Sequence, residues 1–212
     1  MKQILPGLWH WTRIHEKIRI PVHSYYVQDA GVLIDPMLPE EGLEWLRKHG
    51  PPTDVLLTNR HHFRHSAKLQ QTFGVAVRCH RAGLHEFKPA QKVEPFDFGD
   101  ELPGGILALE VGVLCPEETA LLVPRGKRKG RTDARDARDG DALAMGDAVI
   151  RNADGALDFV PDRYMGDDPE GVKRGLKAAF RRLVEEPFKH LLLAHGEPVV
   201  GDGRSALRRF AA

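Results

Sequence analysis

The chain has 212 residues, 42% of them hydrophobic, which is enough to bury a sizeable core in one domain or in two small ones. Lysine plus arginine (31) nearly balance aspartate plus glutamate (30), so the formal charge of +1 excludes a global attraction to nucleic acid or to an anionic membrane. The N-terminus lacks the apolar run of a signal peptide and no stretch is apolar enough to span a bilayer, so we expect a cytoplasmic protein.

The first part of the chain alternates strand-like and helix-like segments. Aromatic and β-branched residues predict strands, and apolar residues at helical spacing predict a helix that ends at a Gly-Pro-Pro breaker. The predicted strands are 4–12, 20–27, 31–35 and 54–58, and the predicted helix is 40–49. A strand–helix–strand order of this kind is typical of α/β proteins.

The strand at 54–58 leads into the most distinctive stretch of the chain, LLTNRHHFRHSAKL at 56–69. Three histidines, His61, His62 and His65, lie within five residues, and Ser66 is available to cap the helix that follows. Imidazole is the usual protein ligand for zinc and similar metals, and each ring nitrogen needs a partner. The stretch therefore predicts a metal site, with an accidental surface cluster of histidines as the alternative.

The second half of the chain is β-rich at 93–124 and again at 142–150, and a helix is predicted at 169–186. Between the two β-rich parts, Arg125 to Asp141 contains hardly an apolar side chain and cannot enter a core. We expect a mobile excursion there. It acts either as a basic flap that contacts an anionic partner or as a solvated loop whose charges compensate one another.

Five motifs resemble, in order, those of the metallo-β-lactamase-fold hydrolases. They are Leu33-Ile34-Asp35, the His-rich stretch, the segment Gly112 to Thr119, Gly146-Asp147 and Ala194-His195-Gly196. The resemblance covers essentially the whole chain. It implies one domain, 1–212, of the α/β (α+β) class, built as a four-layer αββα sandwich of two mixed β-sheets with helices outside.

The family carries a T-H-x-H-x-D-H motif at this strand-to-helix junction, and the resemblance implies a degenerate copy of it. Aligned from the helix side, His65 takes the last histidine and Arg64 the aspartate, while His62 and Arg60 take the second and first histidines. The gap from the preceding threonine is one residue too long, so a frame in which His61 reaches into the site is the alternative.

The other motifs imply the rest of the site. Asp147 takes the place of the aspartate that bridges two metals, and His195 takes that of the last histidine ligand. Asp35 either supports the metal loop from behind or is a simple turn aspartate. Leu114 replaces another histidine ligand and cannot coordinate a metal. The implied metal ligands are thus His62, His65, Asp147 and His195, with Asp147 and His62 as the catalytic residues.

Two functions remain open at this stage. The chain is either a hydrolase that binds at most one zinc or other divalent ion and acts on a small, anionic ester, thioester or phosphoester, or a non-catalytic module. In the second case Arg60, Arg64 and His61 bind an anionic small molecule in place of the metals, because a guanidinium repels a metal ion and pairs with phosphate or carboxylate. Neither function requires nucleic acid or a membrane as partner.

Overall fold

The computed structural model describes residues 1–125 and 140–212. Its larger sheet has seven strands that follow one another in chain order. They are β1 (Lys2–Leu5), β2 (Leu8–Ile14), β3 (Pro21–Val27), β4 (Val32–Ile34), β5 (Asp54–Leu56), β6 (Ala76–His80) and β7 (Val93–Phe96). Strands β1 to β4 pair antiparallel and β4 to β7 pair parallel, so the sheet is mixed.

The remaining strands form a smaller mixed sheet and a short hairpin. They are β8 (Glu101–Leu102), β9 (Ile106–Glu110), β10 (Thr119–Val123), β11 (Asp141–Met145), β12 (Ile150–Arg151), β13 (Leu157–Asp158) and β14 (Phe188–Leu193). The sheet has the order β14-β11-β10-β9-β8, and β12 pairs only with β13. Its one parallel pair is β11 with β14, and that pairing positions the candidate site.

In the part of the chain that the structure describes, four α-helices cover the two sheets: α1 (Gly42–His49), α2 (Ser66–Phe73), α3 (Pro169–Leu183) and α4 (Gly203–Ala211). The longest, α3, begins where its sequence predicts. Asp168 accepts a hydrogen bond from the backbone N–H of Gly171 (2.8 Å), and Pro169 occupies the first helical turn, where a missing N–H costs nothing. Leu176, Phe180 and their apolar neighbours on the same face are buried, so packing stabilises the helix.

Three apolar clusters fill the three spaces between four layers. Residues of α1 and α2 pack on the outer face of the larger sheet, the two sheets pack on each other, and α3 and α4 pack on the outer face of the smaller sheet. Adjacent residues of one strand enter different clusters: Leu192 lies between the sheets, whereas Leu191 and Leu193 face the helices. A strand of this kind is buried on both faces, and its sequence is therefore a continuous run of hydrophobic residues. The predicted αββα sandwich of two mixed sheets is confirmed.

Several predicted boundaries need correction. The strand predicted at 4–12 is two strands, because Gly7 (φ +68°) turns the chain between β1 and β2. Ser66 does not cap α2: His65 holds the cap position without a side-chain hydrogen bond, and the Ser66 hydroxyl is buried. The helix predicted to reach residue 186 ends at Leu183. The interior of the charged segment, 126–139, lies outside the described residues, so the expectations for it stay predictions. Among the described helices, none combines the length and the apolar composition that crossing a bilayer requires.

Candidate metal centre

The pairing of two parallel strands brings Asp147 and His195 together. Met145 at the end of β11 is the partner of Leu193 at the end of β14, and the chain continues for two residues beyond each. Because the strands are parallel, their carboxyl ends lie side by side, and both extensions leave the sheet at the same end. The Nε2 atom of His195 consequently lies 2.9 Å from Oδ1 of Asp147.

The loop after β5 supplies the third side chain. Asn59 begins a short 3₁₀ turn, Arg60–Phe63, and accepts a hydrogen bond from the backbone N–H of His61. This turn buries His62, whose Nε2 lies 3.2 Å from Oδ1 of Asp147. One ligand-type atom from each of His62, Asp147 and His195 lies within 4.8 Å of the others. We call these three residues the central cluster.

Asp35 orients His62 from behind. Its carboxylate is buried and accepts hydrogen bonds from the backbone N–H (2.9 Å) and the hydroxyl (2.6 Å) of Thr58. It also lies 2.9 Å from Nδ1 of His62, and since an ionised carboxylate can only accept, that nitrogen carries the proton. Asp35 has φ +46°, a left-handed conformation that these contacts hold in place. The Nε2 atom of His62 is thereby directed towards Asp147.

Charge pairing sets the protonation of the central cluster. Burial lowers the pKa of His62, but the carboxylates of Asp35 and Asp147 outweigh it and raise this pKa to about 9. For Asp147, burial opposes ionisation, whereas His62 and His195 hold the pKa well below its usual value. Without a metal, His62 is therefore an imidazolium between two carboxylates at neutral pH.

A third carboxylate, that of Glu118, completes the site, and the sequence analysis missed it. Its Oε1 accepts a hydrogen bond from the backbone N–H of Ala148 (3.0 Å). The amide nitrogen of Asn59 donates to Oε2 of Glu118 (3.0 Å) and also to Oδ2 of Asp147 (3.1 Å). Because the Asn59 oxygen accepts from His61, the amide cannot turn round. It is fixed as a double donor between two carboxylates.

Burial and the negative charge of Asp147 raise the pKa of Glu118 to about 7. The signal for this residue was present in the sequence. Two adjacent acids, Glu117 and Glu118, stand directly before the apolar strand β10, where both are fully buried. Buried carboxylates need hydrogen-bond donors or cations as partners. Two adjacent acids before a buried strand therefore indicate a polar site, and the sequence analysis overlooked this indication.

Gly146 allows this close packing. A Cβ atom at this position would lie 2.6 Å from Oε1 of Glu118 and 2.6 Å from the hydroxyl of Thr58. Any other residue would push apart the groups that support Asp147 and His62. The Gly-Asp motif therefore needs glycine at this position because a side chain would occupy the space taken by Thr58 and Glu118.

The structure does not bring His65 into the central cluster, which corrects its predicted role as a ligand. His65 begins α2, and its Nδ1 accepts a hydrogen bond from the backbone N–H of Leu38 (2.9 Å). Its Nε2 lies 3.0 Å from a carboxylate oxygen of the exposed residue Glu16. The chain changes direction at Arg64 (φ +41°), between His62 and His65, so the two imidazoles have different surroundings.

The predicted anion-binding residues are also separated. The guanidinium of Arg60 forms an ion pair with the buried Glu117 and lies 3.6 Å from Glu86, so its charge is already compensated. His61 is exposed and outside the central cluster, which rules out the alternative frame of the motif. Leu114 is half-buried and offers no ligand atom, and Glu118 is the residue that this loop contributes.

Arg64 is partly buried and binds backbone oxygens. It donates to the carbonyls of His23 (2.8 Å) and Asp35 (2.6 Å), and its Nη2 has no partner among the described residues. Burial lowers its pKa, and the negative charges of Asp35 and Asp147 oppose that effect. Arg60 and Arg64 thus have separate partners, and the predicted shared pocket for an anion is not formed.

The fixed charges suit a divalent cation. Asp35, Asp147 and Glu118 bring three carboxylates to the site and Arg64 brings one guanidinium, so with His62 neutral and Glu118 ionised the negative charge exceeds the positive by two. A carboxylate–histidine arrangement such as Asp35–His62 commonly orients an imidazole towards a metal. The donor set of two imidazoles and one carboxylate is one that zinc and iron accept. The residues present therefore fit a divalent metal.

The four-layer αββα sandwich of this chain is a fold that several solved structures share. The metallo-β-lactamase family protein TTHA1429 from Thermus thermophilus has 16% identity and a TM-score of 0.63, with 99% of this chain and 79% of that chain covered. A B3 metallo-β-lactamase with an active-site glutamic acid has 19% identity and a TM-score of 0.60, with 90% and 80% covered.

The di-iron-bound form of TTHA1623 has 21% identity and a TM-score of 0.56, with 90% of this chain and 88% of that chain covered. No protein-family profile matches the sequence, and no curated protein matches it in sequence. The chain has the metallo-β-lactamase fold, as the resemblance of its motifs implies. Identities at this level show the fold, and the activity has to be argued from the site.

Proposed function

We propose that the chain is a divergent member of the metallo-β-lactamase superfamily that binds one divalent metal ion through His62, Asp147 and His195. In this role it hydrolyses a small-molecule ester, thioester or phosphoester. The observation that carries the proposal is the convergence of three ligand atoms within 4.8 Å, with Asp35 holding the Nδ1 proton of His62. Three protein ligands are the number that a catalytic zinc normally has.

When bound, a divalent ion supplies Lewis acidity and makes water nucleophilic at neutral pH. The chain's own residues prepare the site for it. Asn59 holds the carboxylate of Asp147 in one orientation, and Asp35 does the same for the imidazole of His62. Glu118, with a pKa of about 7, takes up or releases a proton at neutral pH as the charge of the site changes.

The substrate is proposed as a small molecule without a required negative charge. The sequence predicts an anionic substrate on the assumption that Arg60 and Arg64 face it together. Arg60 instead pairs with Glu117, and Arg64 donates to the backbone carbonyls of His23 and Asp35. Within residues 1–125 and 140–212, Arg60 and Arg64 are therefore not arranged as a pair of guanidinium groups that could recognise an anion.

The proposal is tested by a panel of esters, thioesters and phosphoesters with metal-free protein to which Zn²⁺, Mn²⁺ or Fe²⁺ is returned. We expect hydrolysis that requires metal, that falls more than 100-fold in Asp147→Asn and that persists in the matched control Asp167→Asn, whose side chain is exposed. Hydrolysis that survives chelation or the Asp147 change would overturn the mechanism. Metal binding with no hydrolysis by the wild-type protein would identify a non-catalytic module.

A further inference from the structure

We propose that His10, His23 and Glu197 form a second metal-ion site, for a borderline divalent transition metal such as zinc or cobalt. This site is independent of the proposed hydrolase function and uses none of the residues of the central cluster. One ligand-type atom from each of the three residues lies within 4.8 Å of the others. Two imidazoles and one carboxylate are a ligand set that these metals accept.

The strand register places the two histidines together. In the antiparallel pair β2 and β3, His10 is opposite Tyr25 and Thr12 is opposite His23. His10 and His23 therefore occupy diagonal positions on one face of the sheet. Nε2 of His10 lies 2.8 Å from Nδ1 of His23, and the two rings are parallel within 3°. Both side chains are buried.

The third residue comes from the other sheet. The backbone N–H of His23 donates to the carbonyl of Ala194 (2.9 Å), and the hydroxyl of Tyr25 donates to the carbonyl of Leu193 (2.8 Å). These bonds fix the end of β14 against β3 and bring Glu197, three residues further along, to the histidines. Glu197 is exposed, so a metal ion has a route from solvent to the buried imidazoles.

The imidazoles are in the form that a metal needs. Burial lowers the pKa of His10 to about 4 and that of His23 to about 3, with further lowering from Lys2 and from the other histidine respectively. Both rings are therefore neutral at pH 7. Without a metal, one ring must donate its N–H to the other across the 2.8 Å gap. A metal ion with ligands at about 2.0–2.1 Å would instead accept lone pairs from both nitrogens, which would then lie roughly 3.3 Å apart.

One short segment serves both sites. Residues 194–197 carry His195 to the central cluster and Glu197 to His10 and His23. A metal ion held by these three residues would join the two sheets at the end of β14. We expect this metal ion to have a structural role, because it would fix residues 194–197 and with them the position of His195.

The test is a titration of metal-free full-length protein with Co²⁺, followed by equilibrium dialysis and by visible absorption. To remove the central cluster, the titration is made in Asp147→Asn. We expect this variant to retain one equivalent of Co²⁺. Adding Glu197→Ala should weaken that binding at least tenfold, whereas the matched control Glu185→Ala, also exposed, should leave it unchanged.

Adding His23→Asn to Asp147→Asn should abolish the remaining binding, and circular dichroism checks that this variant is folded. If the His23→Asn variant is not folded, the Co²⁺ affinity of the Glu197→Ala variant tests the proposal instead, because Glu197 is exposed. Retention of one equivalent with unchanged affinity in the Glu197 variant would overturn the proposal. So would the absence of Co²⁺ binding in Asp147→Asn alone. The hydrolase proposal fails separately, through loss of metal-dependent activity, so the two failures are distinguishable.

Discussion

Asp147 and His195 each lie two residues beyond a pair of partnered positions on parallel strands, and their side chains meet at 2.9 Å. They are 48 positions apart in sequence, and the register of β11 with β14 brings them together. Any substitution that shifts β11 relative to β14 should separate them. The sheet thus fixes two members of the central cluster before the loop that carries His62 contributes the third.

Removing the carboxylate behind His62 should weaken metal binding without removing a ligand. In Asp35→Asn the Nδ1 proton of His62 loses its ionised acceptor, so we expect Zn²⁺ affinity to fall about 10–100-fold. Asparagine tolerates the left-handed backbone at this position, which limits the effect on folding. Isothermal titration calorimetry measures the change, and unaltered affinity would show that Asp35 has only a structural role.

The stability of the metal-free protein should fall as pH rises from about 6.5 to about 9. The folded protein keeps a proton on His62 over this interval, whereas the unfolded chain has released it. The contribution of His62 to the free energy of unfolding is therefore fully present below pH 6.5 and is lost towards pH 9, by up to about 3 kcal/mol.

Urea titrations at several pH values measure this loss. In His62→Gln the decline between these pH values should largely disappear, because the group that titrates is gone. An equally steep decline in the variant would assign the titration to another residue. Glu118, whose folded pKa is also raised, acts in the same direction between pH 4.5 and about 7, so the comparison is best made above pH 7.

Filling the space beside Gly146 should disturb the site and the fold together. The added methyl group of Gly146→Ala meets Thr58 and Glu118, and overpacking of this kind costs about 1–3 kcal/mol of stability. The control Gly175→Ala, in α3, meets one methyl group of Val113, and the gain in helix propensity offsets that contact. Thermal unfolding compares the two variants, and equal midpoints would contradict the packing argument.

Arg64 and Arg60 should affect metal binding differently. Arg64→Met removes a partly buried cation whose charge acts on Asp35 and Asp147, and since relief of even about 1.4 kcal/mol of repulsion gives a factor of ten, Zn²⁺ affinity should rise at least tenfold. The same change should destabilise the metal-free protein by about 1–3 kcal/mol, because the carbonyls of His23 and Asp35 lose their donor. Arg60→Met should leave Zn²⁺ affinity nearly unchanged, because Arg60 is paired with Glu117. Similar affinities in the two variants would refute this distinction.

The sequence was sufficient for the fold because the strands and helices have strong patterns and the five motifs occur in order. It also predicted a site with Asp147, His195 and His62, each adjacent to a strand end or within the loop that follows one, and the structure brings these three side chains together. It was wrong about His65 and about the two arginines. Their positions depend on the backbone at Arg64 and on Glu117, a partner 57 positions from Arg60, and neither can be read from local spacing.

Residues whose role depends on distant partners were missed for the same reason. Asn59 matters because it bridges Glu118 and Asp147, which are 59 and 88 positions away. His10 and His23 looked like ordinary strand residues, and only the register of β2 with β3 places them side by side. The sequence shows which residue types are present, but only the fold shows which side chains are in contact.

The most direct test of the central claim is a crystal structure of the protein grown with Zn²⁺, with an anomalous difference map calculated from data collected at the zinc absorption edge. We predict a peak bound by Nε2 of His62, by the carboxylate of Asp147 and by Nε2 of His195, with His65 making no contact. A map with zinc elsewhere and no peak among these three residues would contradict the account.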